Sequence, residues 1–234
     1  MYKNKRILAV TLARSGSKGI PNKNIIKIKN KPLIYYTIKE ALKSKYIDRY
    51  LISTNSKEIK KISESFKAEC PFLRPKKLST SKARAVDADR HALLWAEKNE
   101  GREYDYFVEL MATNPFKTHI DIDRAIKKLI DRKADSVIGV SHLEDHHPLR
   151  IKKIVKNKIV NFNSLLIETP EMHRQQLKPK AYIRNGSIYA VKANLIKKKI
   201  RYGTNNSLPL IMGEKKSINI DTNIDLLLAK ILMK

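Results

Sequence analysis

A chain of 234 residues with 42% hydrophobic content is long enough for one domain with a sizeable core and too apolar to be disordered. A net charge of +26 invites polyanions, yet most of the basic residues are lysines scattered between apolar positions, and no zinc-finger, RRM or basic-zipper pattern occurs, so specific nucleic-acid binding is not expected. No apolar run approaches a membrane span, residues 7–12 are too short for a signal-sequence core, and Cys70 is alone; a cytoplasmic protein without a disulfide framework is expected.

Residues 7–12 read as a buried strand that runs into Ala13-Arg-Ser-Gly-Ser-Lys-Gly-Ile-Pro-Asn-Lys-Asn24. Two glycines let backbone N–H groups converge on an oxyanion, and Arg14, Lys18 and Lys23 add donors suited to phosphate. The spacing is neither GxxxxGK[ST] nor GxGxxG, so a nucleoside triphosphate is expected here on neither a P-loop nor a dinucleotide fold. A helix begins near Pro32, with Ile34, Ile38 and Ala41 inward. A strand over 50–53 follows, and Asn55 reads either as the cap of the next helix, with Glu58 three residues on, or as a site contact; Ile59, Ile62 and Phe66 form that helix's stripe.

A third helix over 86–98 buries Ala88, Ala92 and Trp95, and residues 106–111 form a central strand. A helix from about Ile120, with Ile122, Ala125, Ile126 and Leu129 inward, precedes a strand over 134–141. The rhythm breaks over 142–184: residues 151–162 read as a hairpin turning at Asn157, and the next stretch is polar and carries prolines. It resumes with a strand over 186–191, a short helix at Leu195, a strand over 217–220 and a last helix with Ile224, Leu227, Leu228 and Ile231 inward. This alternation predicts an α/β fold, a mostly parallel sheet with helices on both faces and ligands at the carboxyl ends of the strands.

The loop over 13–24 resembles, at every fixed position, the A-R-x-x-S-K-G-x-P-x-K-N signature of the cytidylyltransferases that activate sialic acids and related 2-keto sugar acids, the CMP-N-acetylneuraminate synthetases. Further blocks follow in the family's order. Leu73-Arg74-Pro75 and Asp87-Ala-Asp-Arg-His91-Ala-Leu93 are similar to its R-P-x-x-L and D-x-x-x-H-A-L segments, with Ser81 and Ala85 departing from the usual acid and serine. His91, among apolar helix residues, reads as a packed core histidine. Residues 109–118 fill the slot of L-Q-P-T-S-P-L-R, keeping Thr113, Pro115 and the basic Lys117, but Met111 replaces a base-reading glutamine and cannot make its hydrogen bonds. Glu144-Asp-His-His147-Pro-Leu-Arg150 matches E-H-H-P-L-K, although the same histidines read alone could suggest zinc; adjacent histidines are poorly spaced for it. His173-Arg-Gln-Gln-Leu177 and Tyr182-Ile-Arg184-Asn-Gly-Ser-Ile-Tyr189 resemble R-Q-x-L-P and Y-R-x-N-G-A-I-Y, with the arginine displaced by one position. Asn219-Ile-Asp221-Thr-Asn-Ile-Asp225 resembles D-I-D-x-x-x-D, with Asn219 replacing the first acid.

The resemblance implies a Rossmann-like nucleotidyltransferase fold, one domain over 1–234 with 142–185 as an inserted dimerisation subdomain, and a homodimer. It implies CMP transfer from CTP to the anomeric hydroxyl of a sialic-acid-like 2-keto sugar acid, with release of pyrophosphate. Arg14, Ser17, Lys18, Lys23, Asn24 and Arg74 would hold the nucleotide with Met111 and Thr113, and Arg14 and Lys23 would act on the reacting phosphate. Arg150, Arg174, Gln175, Arg184, Asn185 and Tyr189 would meet the sugar acid, though strand packing accounts for Tyr189 equally well. Asp221 and Asn219 would hold Mg²⁺, side by side on one strand face, and Thr222-x-x-Asp225 reads as a capping box. A 3-deoxy-manno-octulosonate or pseudaminate substrate, a sugar-phosphate nucleotidyltransferase and a degenerate polyanion-binding member remain open alternatives.

Overall fold

A computed structural model describes residues 2–16, 19–143, 146–165 and 173–233. The chain opens with β1 (Ile7–Leu12); a short hairpin, β2 (Lys27–Ile28) and β3 (Lys31–Pro32), leads into α1 (Leu33–Lys43). The alternation continues through β4 (Arg49–Ser53), α2 (Lys57–Ser65), α3 (Ala85–Glu100), β5 (Tyr106–Leu110), α4 (His119–Asp131) and β6 (Ser136–His142). A separate hairpin, β7 (Lys152–Val155) and β8 (Lys158–Asn161), precedes β9 (Tyr182–Lys192), α5 (Ala193–Lys197), β10 (Ser207–Ile211) and α6 (Asn223–Leu232).

The central sheet has the order β10-β6-β9-β5-β1-β4. β1 runs parallel to β4 and β5, and β10 parallel to β6, whereas β9 is antiparallel to both of its neighbours, β5 and β6. Alternate strand residues feed two cores, as the two-residue period requires. On one face Ile7, Ala9, Ile52 and Val108 pack with Ile34 and Ile38 of α1 and Ile122 and Ile126 of α4. On the other, Leu8, Val10, Leu51 and Phe107 pack with Ala92, Leu93 and Ala96 of α3 and Ile196 of α5. Each fully buried isoleucine or leucine contributes about 1.5–3 kcal/mol relative to exposure. The expected α/β architecture, with helices on both faces of a mostly parallel sheet, is therefore present.

Local chemistry sets the element ends. Thr118 and Asp121 close a reciprocal capping box at α4, and Thr222 with Asp225 does the same at α6, as expected for the latter. At α2 the cap is Ser56, whose hydroxyl accepts from the Ile59 N–H; Asn55 is not the cap and turns instead toward the loop after β1. The hairpin turns at Lys156 and Asn157, both with positive φ, which is the geometry a two-residue turn needs.

Two expectations are corrected. Residues 217–220 are not a strand: Ser217 ends a 3-10 turn, Lys215–Ser217, and the strand paired with β6 at the sheet edge is β10. The alternating Ser-Ile-Asn-Ile sequence mimics a strand, but its backbone is used elsewhere: the Ile220 N–H donates to the Thr113 carbonyl in the turn after β5. In α6 the buried residues are Leu226 and Ala229, while Ile224, Leu227, Leu228 and Ile231 are exposed. The helix docks on Ile20, Ile28 and Leu33 through its narrower face, because that is the surface the chain presents there.

Candidate functional site

The loops after β1, β4 and β5 meet at the carboxyl ends of their strands. Asn24 is buried, and its Nδ2 donates to the Arg14 carbonyl over 2.9 Å, so it braces the loop that carries Arg14. Asn55 Oδ1 accepts from the Ser15 N–H, and its Nδ2 donates to Ser15 Oγ, both over 3.1 Å. Gly19 lies so close to the Asp221 carbonyl that a Cβ would stand 2.5 Å from it, and only glycine permits this approach. Lys23 Nζ closes the same junction with a 2.6 Å ion pair to Asp221 Oδ1, which joins the first loop to the far end of the chain. Ser17 and Lys18 lie outside the described residues.

Arg14, Arg74, Glu109 and Met111 line one cleft of about 270 Å³. Arg74 is buried, and its Nε donates to Ser79 Oγ over 3.1 Å. Burial pushes its pKa down; the charges of Asp89 and Glu109 oppose that, and the nearby charge of Arg14 adds to it. Two guanidiniums held against each other at a cleft wall suit a polyanion, which neutralises both.

The floor of the cleft is the turn after β5. The Met111 N–H donates to the Ser187 carbonyl, and Met111 Sδ accepts from Arg201 Nη2 at 3.7 Å. Thr113 ties this turn to the Asp221 segment, its carbonyl accepting from the Ile220 N–H at 2.8 Å, while its Oγ1 is buried without a partner. Lys117, fully buried, donates to the Met111 and Asn114 carbonyls and to Thr37 Oγ1. Burial pushes its pKa down to about 7, against the opposing charge of Glu40.

Asn219 and Asp221 do come together, though not on a strand: Asn219 Nδ2 donates to Asp221 Oδ2, and Asn219 Oδ1 is buried with no donor. An exposed carboxylate beside an orphaned amide oxygen suits a hard cation that takes its remaining ligands from phosphates and water. Asp225 is occupied by the Asp221 and Thr222 N–H groups and the Thr222 hydroxyl. Among the described residues no group of three or more His, Cys, Asp or Glu side chains converges as a metal centre. His147 uses both ring nitrogens within the fold, Nδ1 accepting from the Leu149 N–H and Nε2 donating to the Pro179 carbonyl. His91 is half-buried rather than a core residue, and it packs edge-on against Phe72.

The remaining candidates fall into separate groups. Arg184 lies over the Tyr202 ring at 4.4 Å, and Tyr202 stacks on buried Tyr189. Gln175 lines another hollow with His142, His147 and Leu177, and Arg150 ends the 3-10 turn Pro148–Arg150. Asn185 is a strut: it is buried, its Oδ1 accepts from the Ser187 N–H, and its Nδ2 donates to Ser217 Oγ. A Cβ on Gly139 would stand 2.6 Å from Asn185 Oδ1, at the irregularity where β6 and β9 shift register. The Arg174 side chain lies outside the described residues.

Sequence reasoning missed a buried cluster behind Met111. Asp89 on α3 and Glu109 on β5 are both buried, and Arg201 reaches each of them; its Nη2 pairs with Glu109, and its Nε lies 3.9 Å from Asp89 Oδ2. Burial pushes the Asp89 carboxyl well above the carboxylate range; the adjacent Glu109 adds to this, and Arg201 opposes it. The available signal was a lone acid inside the apolar run Tyr106-Phe-Val-Glu-Leu110.

The cytidylyltransferase family profile matches residues 8–214. A flagellin modification protein B from Campylobacter coli is 31% identical over 97% of this chain and 95% of its own length. A CMP-N,N'-diacetyllegionaminic acid synthase from Legionella pneumophila is 32% identical over 98% of this chain and 97% of its own. The solved structure of a CMP:2-keto-3-deoxy-manno-octonic acid synthetase with CTP has the same fold, with a TM-score of 0.72 at 16% identity over 97% of this chain and 98% of its own. The match across most of the chain, on a sheet whose carboxyl edge gathers Arg14, Lys23, Arg74 and Asp221, places this chain in the cytidylyltransferase family.

Proposed function

We propose that this enzyme transfers CMP from CTP to the anomeric hydroxyl of a sialic-acid-like 2-keto sugar acid of the N-acylneuraminate or legionaminate type, and that it works in the cytoplasm as a homodimer. The observation that carries the reading is the junction of the first loop with the Asp221 segment, closed by the Lys23–Asp221 pair, with Asn24 next to Lys23 bracing the loop that carries Arg14. The sugar hydroxyl attacks the α-phosphorus, the bond to the bridging oxygen breaks, and pyrophosphate leaves. Arg14, Lys18, Lys23 and Arg74 hold the triphosphate and offset the charge that develops, while Ser17 and Asn24 hold the loop to it. Mg²⁺, held by Asp221 and Asn219, would neutralise phosphate charge and acidify the attacking hydroxyl. Arg150, Arg174, Gln175 and Arg184 supply donors for the sugar carboxylate and hydroxyls, with Tyr189 as an apolar wall.

Self-association is supported by the β7–β8 hairpin, where Ile154, Ile159 and Phe162 are exposed. No helix among the described residues is long and apolar enough to cross a membrane.

Pyrophosphate release with Mg²⁺, offering each of the four nucleoside triphosphates against N-acetylneuraminate, a legionaminic acid and 3-deoxy-manno-octulosonate, tests the reading. Release that requires CTP and a nonulosonic acid is expected; release with no combination, from folded protein, would sink it. In the same assay Asn219→Asp adds a second carboxylate, so the Mg²⁺ concentration for half-maximal release should fall about tenfold. An unchanged value would remove Asn219 from the metal's surroundings.

A further inference from the structure

The last helix turns an aliphatic face to solvent. Ile224, Leu227, Leu228 and Ile231 follow the i, i+3, i+4, i+7 spacing of a single stripe, and the four are between 43% and 78% exposed. A helix that packs on a core by Leu226 and Ala229 ordinarily carries charged side chains on its far side. On α6 the charged residues are Lys230, which is exposed, and Asp225, which is held in the cap. A contiguous apolar stripe of this kind marks an interaction surface, whereas scattered exposed leucines do not.

The stripe has a basic rim. Lys27 and Lys29 are exposed on either side of Ile28, against which α6 packs, and Lys215 Nζ lies 5.7 Å from the ring centre of Phe116, which packs on the same cluster. Among the described residues no acid pairs with these three lysines or with Lys230. Of the nearby acids, Asp221 is paired with Lys23 and Asp225 closes the cap, which leaves Glu214 beside Lys215. Composition and charge together decide what fits. Protein interfaces favour aromatic residues and arginine and avoid lysine, and this stripe and rim have the opposite make-up. A second copy docked here would set one lysine rim against another. Aliphatic side chains ringed by lysines match a lipid surface, where the stripe sinks below the headgroups and the lysine stems stretch to place their ammonium groups among phosphates.

We propose that α6 docks the chain on an anionic phospholipid bilayer: Ile224, Leu227, Leu228 and Ile231 enter the acyl boundary while Lys27, Lys29, Lys215 and Lys230 meet the headgroup phosphates. The helix lies flat in the interface and does not span the bilayer, since ten residues reach only about 15 Å. The net charge of +26 draws the chain to such a surface, and the stripe holds it there.

The test is flotation of the full chain with vesicles of phosphatidylcholine alone and of phosphatidylcholine with about one third phosphatidylglycerol. Wild type is expected to partition onto the anionic vesicles at least about tenfold more strongly than onto the neutral ones. The double variant Leu227→Gln, Ile231→Gln changes no charge and keeps good helix formers, so adsorption driven by net charge alone would leave it unmoved. It should bind the anionic vesicles about tenfold more weakly, with an unchanged thermal melt. Ile224→Gln, at the most exposed position of the stripe, should lose about three- to fivefold and serves if the double variant does not fold. Wild type that ignores anionic vesicles, or binds neutral ones equally well, overturns the proposal, and so does unchanged binding by the folded variants. Sedimentation velocity on the same samples covers the other occupant. If the double variant loses oligomeric mass while its vesicle binding stays at the wild-type level, the face joins two copies of this chain and the proposal falls.

Discussion

Replacing Asp221 by alanine is expected to lower the rate of pyrophosphate release by about 10²–10³-fold, the size of effect seen when one charge-positioning group is removed from a phosphoryl or acyl-transfer site. Two losses coincide. The carboxylate that would share the cation with the triphosphate goes, and Lys23 loses the partner that holds its ammonium at the junction. The fold should tolerate the change. The Asp221 side chain is 62% exposed, and an exposed ion pair contributes about 0–1 kcal/mol. The melting midpoint should therefore move by no more than about 4 °C. Rapid-quench measurement of pyrophosphate, set beside a thermal melt, separates the two effects. Near-normal turnover in a folded variant would take Asp221 out of the chemistry.

Lys117→Met is expected to produce the largest change in how stability depends on pH. The buried ammonium of Lys117 holds the Met111 and Asn114 carbonyls and Thr37 Oγ1, and its pKa is pushed down to about 7 by burial. In the unfolded chain the same lysine titrates near 10.4. Between these values the unfolded state binds the proton that the native state has released, so wild-type stability rises with pH across the window from about 7 to about 10.4. Below it both states are protonated and the penalty for burying the charge is present in full. The slope contributed by this group approaches about 1.4 kcal/mol per pH unit. Methionine removes the titration and leaves the carbonyls without their donor, at about 1–3 kcal/mol each. The gap between wild type and variant in urea unfolding should therefore widen as pH is raised from 7 to 10. Because every other charge is common to both chains, the difference isolates Lys117. A gap independent of pH would mean that the lysine stays protonated in the fold.

The turn that Lys117 supports also shows how far the sequence could be read. The order Thr113, Pro115, Lys117 marked a framework, but nothing local distinguishes a lysine pointing inward from one at a phosphate. Burial against Thr37 of α1 decides it, and that contact spans two elements of the sheet's flank. Asn55 is a similar case. A strand end followed by Asn-Ser-Lys-Glu allows either residue to cap α2, and the choice falls to Ser56 because Asn55 is taken by Ser15 across the strand edge.

β1, the alternation of strands and helices from β4 to β6, the capping box at Thr222 and Asp225, and the hairpin turn at Asn157 were determined by the sequence itself, because each depends on backbone preferences and apolar spacing within a few residues. The antiparallel insertion of β9 between β5 and β6, the exclusion of residues 217–220 from the sheet, and the face by which α6 docks were decided only by the tertiary structure. Each is a competition for a surface or an edge that does not exist until the sheet has formed. The same holds for the site: Lys23 meets Asp221, and Glu109 meets Asp89 and Arg201, across separations that no local pattern encodes. Burial then gives these charges their strength, since desolvation makes an unpaired carboxylate or ammonium costly and a paired one specific.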